Sequence, residues 1–297
     1  MTQTSRLQRR TPWHPDGRIM WVTSIPFGIA HLVPLLAIFT GVDTRAVVIM
    51  LAFFWVRMFF ITAGYHRYFS HRSYRMGRVA QAVMAFGGTT AVQKGPLWWS
   101  ATHRLHHRYS DTERDPHSPI HGFWWSHVGW ILAEASKDPD LREVSEFAEF
   151  PEMRFIDRHD WMGPWFAGVL AFLLGGWSGL VIGFFGSTVL LWHSTFLVNS
   201  AAHVFGRRRF ETSDTSRNSL LIALLTGGEG WHNNHHHYAP SVRQGFYWWE
   251  IDTTYYVLRL LSFFGVVRDM RKPSDKVLTT KRIDRGRPAR SEERLAA

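Results

Sequence analysis

The chain of 297 residues is organised around one stretch near its carboxyl end, Gly228-Glu229-Gly230-Trp231-His232-Asn233-Asn234-His235-His236-His237. This stretch carries four histidines within six positions, and the chain contains no cysteine. Disulfides, thiolate-bound zinc and iron–sulfur clusters are therefore excluded, and imidazole nitrogen is the metal ligand that the sequence supplies in quantity. Imidazole suits iron, zinc, copper and nickel, so the ligand type alone leaves the metal open.

Histidines recur in three other places, within His-Arg-Tyr-Phe-Ser-His, His-Arg-Leu-His-His and Asn-Ser-Ala-Ala-His. Where the spacing is three or four residues, the imidazoles share one face of a helix. The five-residue step from His66 to His71 is about 140° out of phase on an α-helix, so one of them must reach back from a helix end. These clusters predict two metals at about five ligands each, once a shared or water ligand is allowed. The expected ligands are His66, His71, His103, His106, His107, His203, His232, His235 and His236.

Two other kinds of metal site are disfavoured, and the isolated histidines are interpreted as structural. Carboxylate di-iron bundles need Glu-x-x-His on two helices, and Glu229-x-x-His232 is the one such pair. The zinc protease pattern His-Glu-x-x-His is absent. A lone imidazole is more often satisfied by packing and hydrogen bonds than bound to a metal. We apply this interpretation to His14, His31, His121, His127, His159 and His193, and leave His117 and His237 open.

Apolar runs alternate with very basic ones, although the mean hydropathy of −0.15 is near neutral. Four apolar runs, paired by short turns, predict two helical hairpins in a membrane. The expected fold class is an all-α integral membrane protein, with four transmembrane helices and a cytosolic helical cap that holds the histidines. The expected boundaries are a basic segment at 1–18, a membrane domain at 19–271 and a charged, disordered tail at 272–297, with spans at about 19–40, 46–63, 164–174 and 180–198 and the cap at 64–163 and 199–271.

The charge distribution points to a membrane and not to a nucleic-acid partner. The formal net charge is +10, but the arginines flank apolar spans and form no nucleic-acid-binding motif. Of the 34 Lys and Arg residues, all but Arg45 and Arg57 lie on the side shared by both termini and the histidine clusters. The positive-inside rule puts that side, with the active site, in the cytoplasm, and we expect a bacterial inner membrane. Inside the second span, we expect the guanidinium of Arg57 to snorkel to the interface.

A histidine-rich metal transporter is a non-enzymatic alternative for a membrane protein of this composition. It would carry polar residues at mid-membrane depth in several spans, and only His31 and Arg57 qualify. The histidine clusters are expected outside the spans, which disfavours this alternative.

Segments that flank the histidines narrow the possible families. They are Asp115-Pro116-His117, Gly122-Phe123-Trp124-Trp125-Ser126-His127-Val128-Gly129-Trp130, Trp192-His193-Ser194-Thr195, Asn199-Ser200-Ala201-Ala202-His203 and Gly228-Glu229-Gly230-Trp231-His232-Asn233. From about residue 64 to residue 252, the sequence resembles the membrane-bound fatty acyl desaturases, the family of stearoyl-CoA desaturase and the cyanobacterial delta-9 acyl-lipid desaturases. The bare histidine pattern is shared with alkane hydroxylases, sterol oxidases and carotenoid hydroxylases.

The resemblance implies a di-iron centre, with two Fe²⁺ ions held by the nine histidines. It implies that Asn199 holds a water at the metal. It places Gln93, Trp99 and Thr195 along a bent tunnel for the acyl chain, and Arg104 where the animal enzymes meet the CoA phosphates.

The implied reaction is the oxygen-dependent removal of two vicinal hydrogens from a fatty acyl chain, which leaves a cis double bond, at delta-9. The segment 131–137 lacks the Arg-Lys-rich run of the animal enzymes, so CoA, acyl carrier protein and glycerolipid stay open as carriers. We expect a separate electron donor of the ferredoxin, rubredoxin or cytochrome b5 type, because the chain has no cysteine clusters and no fused haem domain. The alternative is a di-iron hydroxylase or oxidase of an acyl or terpenoid chain on the same scaffold. Chain length and oligomeric state stay open.

Overall fold

The computed structural model describes residues 19–133 and 139–283, so the predictions for 1–18 and 284–297 lie outside the described residues. The described residues are mostly helical, as expected, and Arg75–Met76 pairs with Val267–Arg268 in a small antiparallel sheet. The α-helices are Trp21–Leu32, Ala37–Thr40, Thr44–Phe59, Arg78–Thr89, Pro96–Tyr109, Trp130–Leu132, Ser145–Ala148, Pro151–Arg158, Met162–Ser178, Ser187–Asn199, Ala201–Val204, Leu220–Leu225, His232–His237, Thr253–Phe263 and Asp275–Thr279. Phe60–Ser70, Trp125–Gly129 and Gly179–Gly186 are π-helical, and the 3₁₀ segments are Val33–Leu36, Pro119–His121 and Leu141–Val144.

Two helical runs are long and apolar enough to cross a bilayer. They are Thr44–Ser70, with 27 residues, and Met162–Val204, with 43, and a shorter apolar helix covers Ser24–Thr40. A tight turn joins the shorter helix to the first run. In this turn Gly41 has a φ of +74°, and the carboxylate of Asp43 accepts a hydrogen bond from the backbone N–H three residues later (2.6 Å). The turn and the carboxylate cap together fix the start of the first long run.

The 43-residue run is itself a hairpin. Gly176 has a φ of 59° and a ψ of −148°, which breaks the helix. A Cβ added to Gly168 would lie 3.7 Å from the side chain of Leu180. In a straight helix those two residues would be about 18 Å apart along the axis, so the chain turns back between them. The hydroxyl of Ser178 donates to the carbonyl of Gly41 (2.9 Å), so the turns of both hairpins lie at the same end of the bundle.

The expectation that Arg57 snorkels to the interface is wrong. Its side chain is buried in the helical bundle, with 2% of the residue exposed. The guanidinium donates to the hydroxyls of Thr188 (2.7 Å) and Ser187 and to the carbonyl of Thr90 (3.2 Å). Polar atoms from neighbouring helices therefore satisfy this cation inside the protein, as Ser and Thr hydroxyls commonly do for buried polar groups in membrane bundles.

The first part of the tail, residues 272–283, is folded and corrects the expectation of disorder there. Asp275–Thr279 is a helix, and the side chain of Ser274 caps its amino end. Leu278 is buried in a hydrophobic cluster with Phe210 and Phe246. Burial of this leucine offsets the entropy of ordering the segment.

Candidate metal centre

A stretch of π-helix brings the first two histidines together. The segment Phe60–Ser70 is π-helical, and the backbone N–H of His71 donates to the carbonyl of His66 (3.2 Å), five residues back. Five residues thus close one turn, and the two ring centres lie 4.9 Å apart. From the sequence, we expected one of the two residues to reach back from a helix end. His71 does follow the last helical residue, but the widened turn produces the contact.

The nine expected ligands converge in two groups. In each group, one nitrogen atom from every histidine lies within 4.8 Å of those from the others. The division follows the helix period, because His103 and His107 lie one turn apart and face one group, while His106 faces the other. The first group is His66, His71, His103, His107 and His235, and the second is His106, His203, His232 and His236.

Four of these histidines are oriented by buried or partly buried carboxylates that the sequence argument did not identify as partners. Each carboxylate oxygen lies beside a ring Nδ1 and leaves Nε2 to face the other histidines. Such carboxylate–histidine pairs fix the tautomer and orientation of metal ligands. The pairs are His66 with Glu229 (2.6 Å), His106 with Asp115 (2.9 Å), His203 with Asp111 (3.0 Å) and His236 with Asp214 (2.8 Å).

The donor geometry fits a metal ion better than a set of hydrogen bonds. His106 and His236 each use their Nδ1–H on a carboxylate, and their Nε2 atoms lie 3.4 Å apart. With both rings neutral, two lone pairs would face each other with no hydrogen between them. Two nitrogens that bind one ion at about 2.1 Å with a near-tetrahedral angle lie about 3.4 Å apart, which accounts for the arrangement.

The surroundings favour the neutral form of most of the ligands and the ionised form of the carboxylate partners. At His106, burial acts to lower the pKa, but the charge of Asp115 and its hydrogen bond outweigh burial and raise it. Burial lowers the pKa of His236 to about 4, although Asp214 acts in the opposite direction. Burial raises the pKa of Asp214, but its hydrogen bond with His236 and the charge of that ring outweigh burial and hold the pKa far below its usual range. A neutral imidazole beside a carboxylate is the form that binds metal. Burial, reinforced by neighbouring histidines, also holds the pKa well below 6.5 at His71, His103, His107, His232 and His235.

Arg67 anchors the carboxylate of Glu229. Its side chain is fully buried and donates to Glu229 (2.8 Å), to Asp252 (2.9 Å) and to the carbonyl of Val242 (2.8 Å). The two carboxylates compensate the buried cation, and the fork of the guanidinium fixes the position of both. Glu229 is thereby held against His66, so Arg67 acts on the metal ligand through it.

A cavity of about 390 Å³ lies against both histidine groups. Its wall includes His103 of the first group, His232 of the second and Asn199. A molecule in the cavity would therefore contact the metal centre directly. The volume falls in the range of small-molecule sites, and most of the wall is apolar or aromatic.

The three residues expected along the tunnel form one hydrogen-bonded chain in the cavity wall. The amide of Gln93 donates to the hydroxyl of Thr195 (2.9 Å) and accepts from the indole N–H of Trp99 (3.3 Å). The indole stacks on the ring of His103, with centres 5.0 Å apart. The wall of the cavity is thus tied to a metal ligand.

The structure does not place Arg104 in the cavity wall. Its guanidinium donates to the backbone carbonyls of Phe69, Ser70 and Glu143 and to the carboxylate of Glu146 (2.7 Å). These contacts tie the second histidine helix to the first histidine segment, so Arg104 has a structural role here.

The two histidines left open have different surroundings. His117 lines the cavity, and its ring centre lies 4.2 Å from that of the ligand His106. His237 donates to the carbonyl of Val277 (2.8 Å) and stacks on Phe210, with ring centres 4.0 Å apart. His237 is therefore structural, and His117 adjoins the metal centre.

Comparison with known proteins gives a consistent result. The family model for fatty acid desaturases matches residues 44–262. The chain is 38% identical over 262 residues to the sn-1 stearoyl-lipid 9-desaturase of Anabaena variabilis, which covers 87% of this chain and 96% of that protein. It is 38% identical over 224 residues to an acyl-CoA 5-desaturase of Anemone leveillei (73% and 69% covered). It is 36% identical over 251 residues to the chloroplastic palmitoyl-monogalactosyldiacylglycerol delta-7 desaturase of Arabidopsis thaliana (82% and 67% covered).

Proposed function

The chain belongs to the fatty acid desaturase family, and we propose that it introduces a cis double bond at delta-9 into a saturated acyl chain of a glycerolipid, with a di-iron centre and molecular oxygen. The observation that carries this proposal is the shared wall between cavity and metal centre. Histidines of both groups line a mainly apolar cavity, so an acyl chain inside it would lie against both metal positions.

Two Fe²⁺ ions, one in each histidine group, would supply the oxygen chemistry that C–H cleavage needs. Nine neutral imidazoles fit such ions, and the absence of cysteine disfavours softer thiolate-bound metals. The second group has four histidines where the first has five, so we assign to Asn199 a water that completes it. Overall, the acyl chain gives up two hydrogens with their two electrons, the donor supplies two further electrons, and two protons are taken up, so that one O₂ is reduced to two waters.

The residues of the chain position the substrate. We assign the bend of the acyl chain to the hydrogen-bonded set of Gln93, Trp99 and Thr195, which is fixed relative to His103. A rigid wall restricts which methylene pair approaches the metals and so sets the position of the double bond. The apolar lining excludes water from the reacting carbons.

A lipid carrier is favoured over CoA by two observations. The relative that is matched over 96% of its length is named as acting on a stearoyl-lipid. In addition, Arg104, the candidate for CoA phosphates, uses its donors on protein oxygens. A related acyl-CoA enzyme exists in Anemone leveillei, so CoA is the alternative carrier to test.

We further propose that four apolar helices cross the bacterial inner membrane as two hairpins. The break at Gly176 supports two spans in the 43-residue run, and the apolar helix Ser24–Thr40 supplies the first. The excess of Lys and Arg on the histidine side supports a cytoplasmic active site. A separate redox protein of the ferredoxin, rubredoxin or cytochrome b5 type would deliver the electrons.

The test uses purified, iron-loaded protein in lipid nanodiscs with an electron donor and oxygen. Distearoyl phospholipid and stearoyl-CoA are offered separately, and products are read by mass spectrometry with double-bond location. A cis-9 monoene from the phospholipid supports the proposal, and the same product only from stearoyl-CoA would replace the carrier. Hydroxylated chains without a monoene would establish the hydroxylase alternative instead.

A further inference from the structure

A row of three imidazoles lies outside the metal centre. The Nε2 atoms of His31 and His193 lie 3.0 Å apart, and His193 Nδ1 lies 3.0 Å from His127 Nε2. At one end, His31 Nδ1 is 2.7 Å from the carbonyl oxygen of Phe27. At the other, His127 Nδ1 is 2.9 Å from the hydroxyl oxygen of Ser200. Three separate helical segments contribute these histidines.

The row differs from the metal-binding groups in its pattern of donors and acceptors. In the metal centre, His106 and His236 both spend their Nδ1–H on carboxylates, so their Nε2 lone pairs converge. In the row, every contact can have one donor and one acceptor, and His193 uses both of its ring nitrogens. Hydrogen bonds therefore explain the distances in the row without a metal ion.

With neutral residues, the row has a hydrogen for every contact of a ring nitrogen, but none for its last contact, between the hydroxyl of Ser200 and the carbonyl of Phe196. It ends on two carbonyl oxygens, which only accept: Phe27 at one end and Phe196 at the other, where the hydroxyl of Ser200 donates at 2.8 Å. Five contacts join these ends, and each hydrogen bond needs one hydrogen. Three neutral imidazoles and one hydroxyl supply four. A fifth hydrogen completes every bond without movement of a heavy atom.

We propose that His31, His193 and His127 form a proton-binding site that holds one proton, shared among the three rings. Aromatic side chains surround the rings. Within residues 19–133 and 139–283, no other acidic or basic side chain is hydrogen-bonded or ion-paired to these three histidines. The titratable groups that act on His193 are His127 and His31. Burial lowers the pKa of His127. Sharing the charge over three rings and gaining the fifth hydrogen bond offset that cost.

The site couples protonation to the wall of the cavity. His31 belongs to the helix Trp21–Leu32, and Phe27 of that helix stacks on Trp192, with ring centres 5.0 Å apart. Both aromatic residues line the cavity. The bound proton thus stabilises the contact between His31 of the first apolar helix and His193. His193 follows Trp192 of the cavity wall directly in the sequence.

The test is ¹⁵N NMR of histidine-labelled, full-length protein in lipid bilayers, loaded with diamagnetic Zn²⁺ and titrated from pH 9 to pH 5. We expect the resonances of His31, His127 and His193 to shift together in one step, since coupled groups titrate as a unit. His193→Leu should remove this step. His193→Gln keeps an oxygen and an N–H near the two ring-nitrogen positions, so it should fold like the unmodified protein and still lose the three-ring step.

His159→Gln is the matched control, because that imidazole also bonds the carbonyl four residues back (2.8 Å) but does not belong to the row. It should leave the step unchanged. Three neutral rings at pH 5, or a separate charge on each ring, would overturn the proposal. So would a third metal ion per chain that is lost in His193→Gln. The measurement needs no turnover, so a failure of the proposed desaturase activity would leave its result readable.

Discussion

Replacing Asp214 with asparagine should turn a metal ligand into the wrong tautomer. One carboxylate oxygen, Oδ1, accepts from the backbone N–H of Ser216 (2.9 Å) and the hydroxyl of Thr212 (3.0 Å). The other oxygen accepts from Nδ1 of His236 (2.8 Å). In Asp214→Asn, the two donors keep the amide oxygen at the Oδ1 position, and the amide nitrogen faces His236. The ring must then carry its hydrogen on Nε2, the atom that faces the metal position.

The expected magnitude follows from the role of the carboxylate. Loss of such a partner typically costs 10- to 100-fold in metal affinity or activity, or about 1.4 to 2.7 kcal/mol. His236 belongs to the group with four histidines, so its loss leaves three. The first group does not include His236 and should keep its metal. At limiting free Fe²⁺, we therefore expect iron to fall from two per chain towards one, and activity to fall at least tenfold.

Iron per chain is measured by elemental mass spectrometry after dialysis against buffered Fe²⁺, together with product formation. Asp140→Asn is the control, because Asp140 pairs with the exposed Arg142 at the surface. It should keep two irons and full activity. If Asp214→Asn also keeps two irons with unchanged affinity, the tautomer argument is wrong.

Three further predictions concern the cavity, the packing and the pH dependence. Thr195→Val removes the hydroxyl that accepts from the Gln93 amide. We expect the variant to keep two irons per chain, to lose about fivefold in activity and to give a mixture of double-bond positions by mass spectrometry. A single product with an unshifted double bond would contradict this expectation. Gly230→Ala puts a Cβ 2.1 Å from a backbone nitrogen and should cost about 3 kcal/mol of the free energy of unfolding. In contrast, Gly28→Ala lies inside a helix with open space around it and should not lower the unfolding midpoint. Burial holds the pKa well below 6.5 at His71, His103, His107 and His235 of the first group. These rings are therefore far less protonated at pH 5.5 than a free imidazole, which is about nine-tenths protonated there. Metal uptake by the first group of the apoprotein should thus change less than threefold between pH 7.5 and 5.5, and a tenfold loss would show that these ligands titrate freely.

Histidine spacing identified the imidazoles that the structure brings together, because helical periodicity is local. Steps of three and four residues place His103, His106 and His107 on one side of a helix, and tertiary packing needed only to bring such faces together. Two groups were expected, but which imidazole belongs to which group was not predictable, because it depends on how the helices face each other. The π-helical turn at His66 was also missed, since no residue pattern marks a widened turn.

The supporting residues were less visible in the sequence for a physical reason. Asp111, Asp115 and Asp214 look like ordinary turn residues, and only the fold brings them to the Nδ1 atoms of their histidines. Arg57 was assigned to the interface because a cation in an apolar run usually snorkels. The hydroxyls that receive it come from a helix about 130 residues later in the chain.

The isolated histidines illustrate the same limit. Each of His31, His127 and His193 is unremarkable by spacing, and the interpretation as structural residues was reasonable for each one alone. Their hydrogen-bonded row exists because three helical segments meet. A sequence pattern records neighbours along the chain and cannot record this kind of meeting.

The most direct test of the central claim is the lipid profile of a desaturase-deficient bacterial host that expresses the chain aerobically. We predict a new cis-9 monoene in membrane glycerolipids with the unmodified chain and none with His235→Ala, at equal amounts of membrane-inserted protein, because His235 belongs to the first metal group. Formation of the same monoene by His235→Ala would contradict the assignment of the metal centre. Hydroxylated lipids in place of the monoene would contradict the proposed reaction.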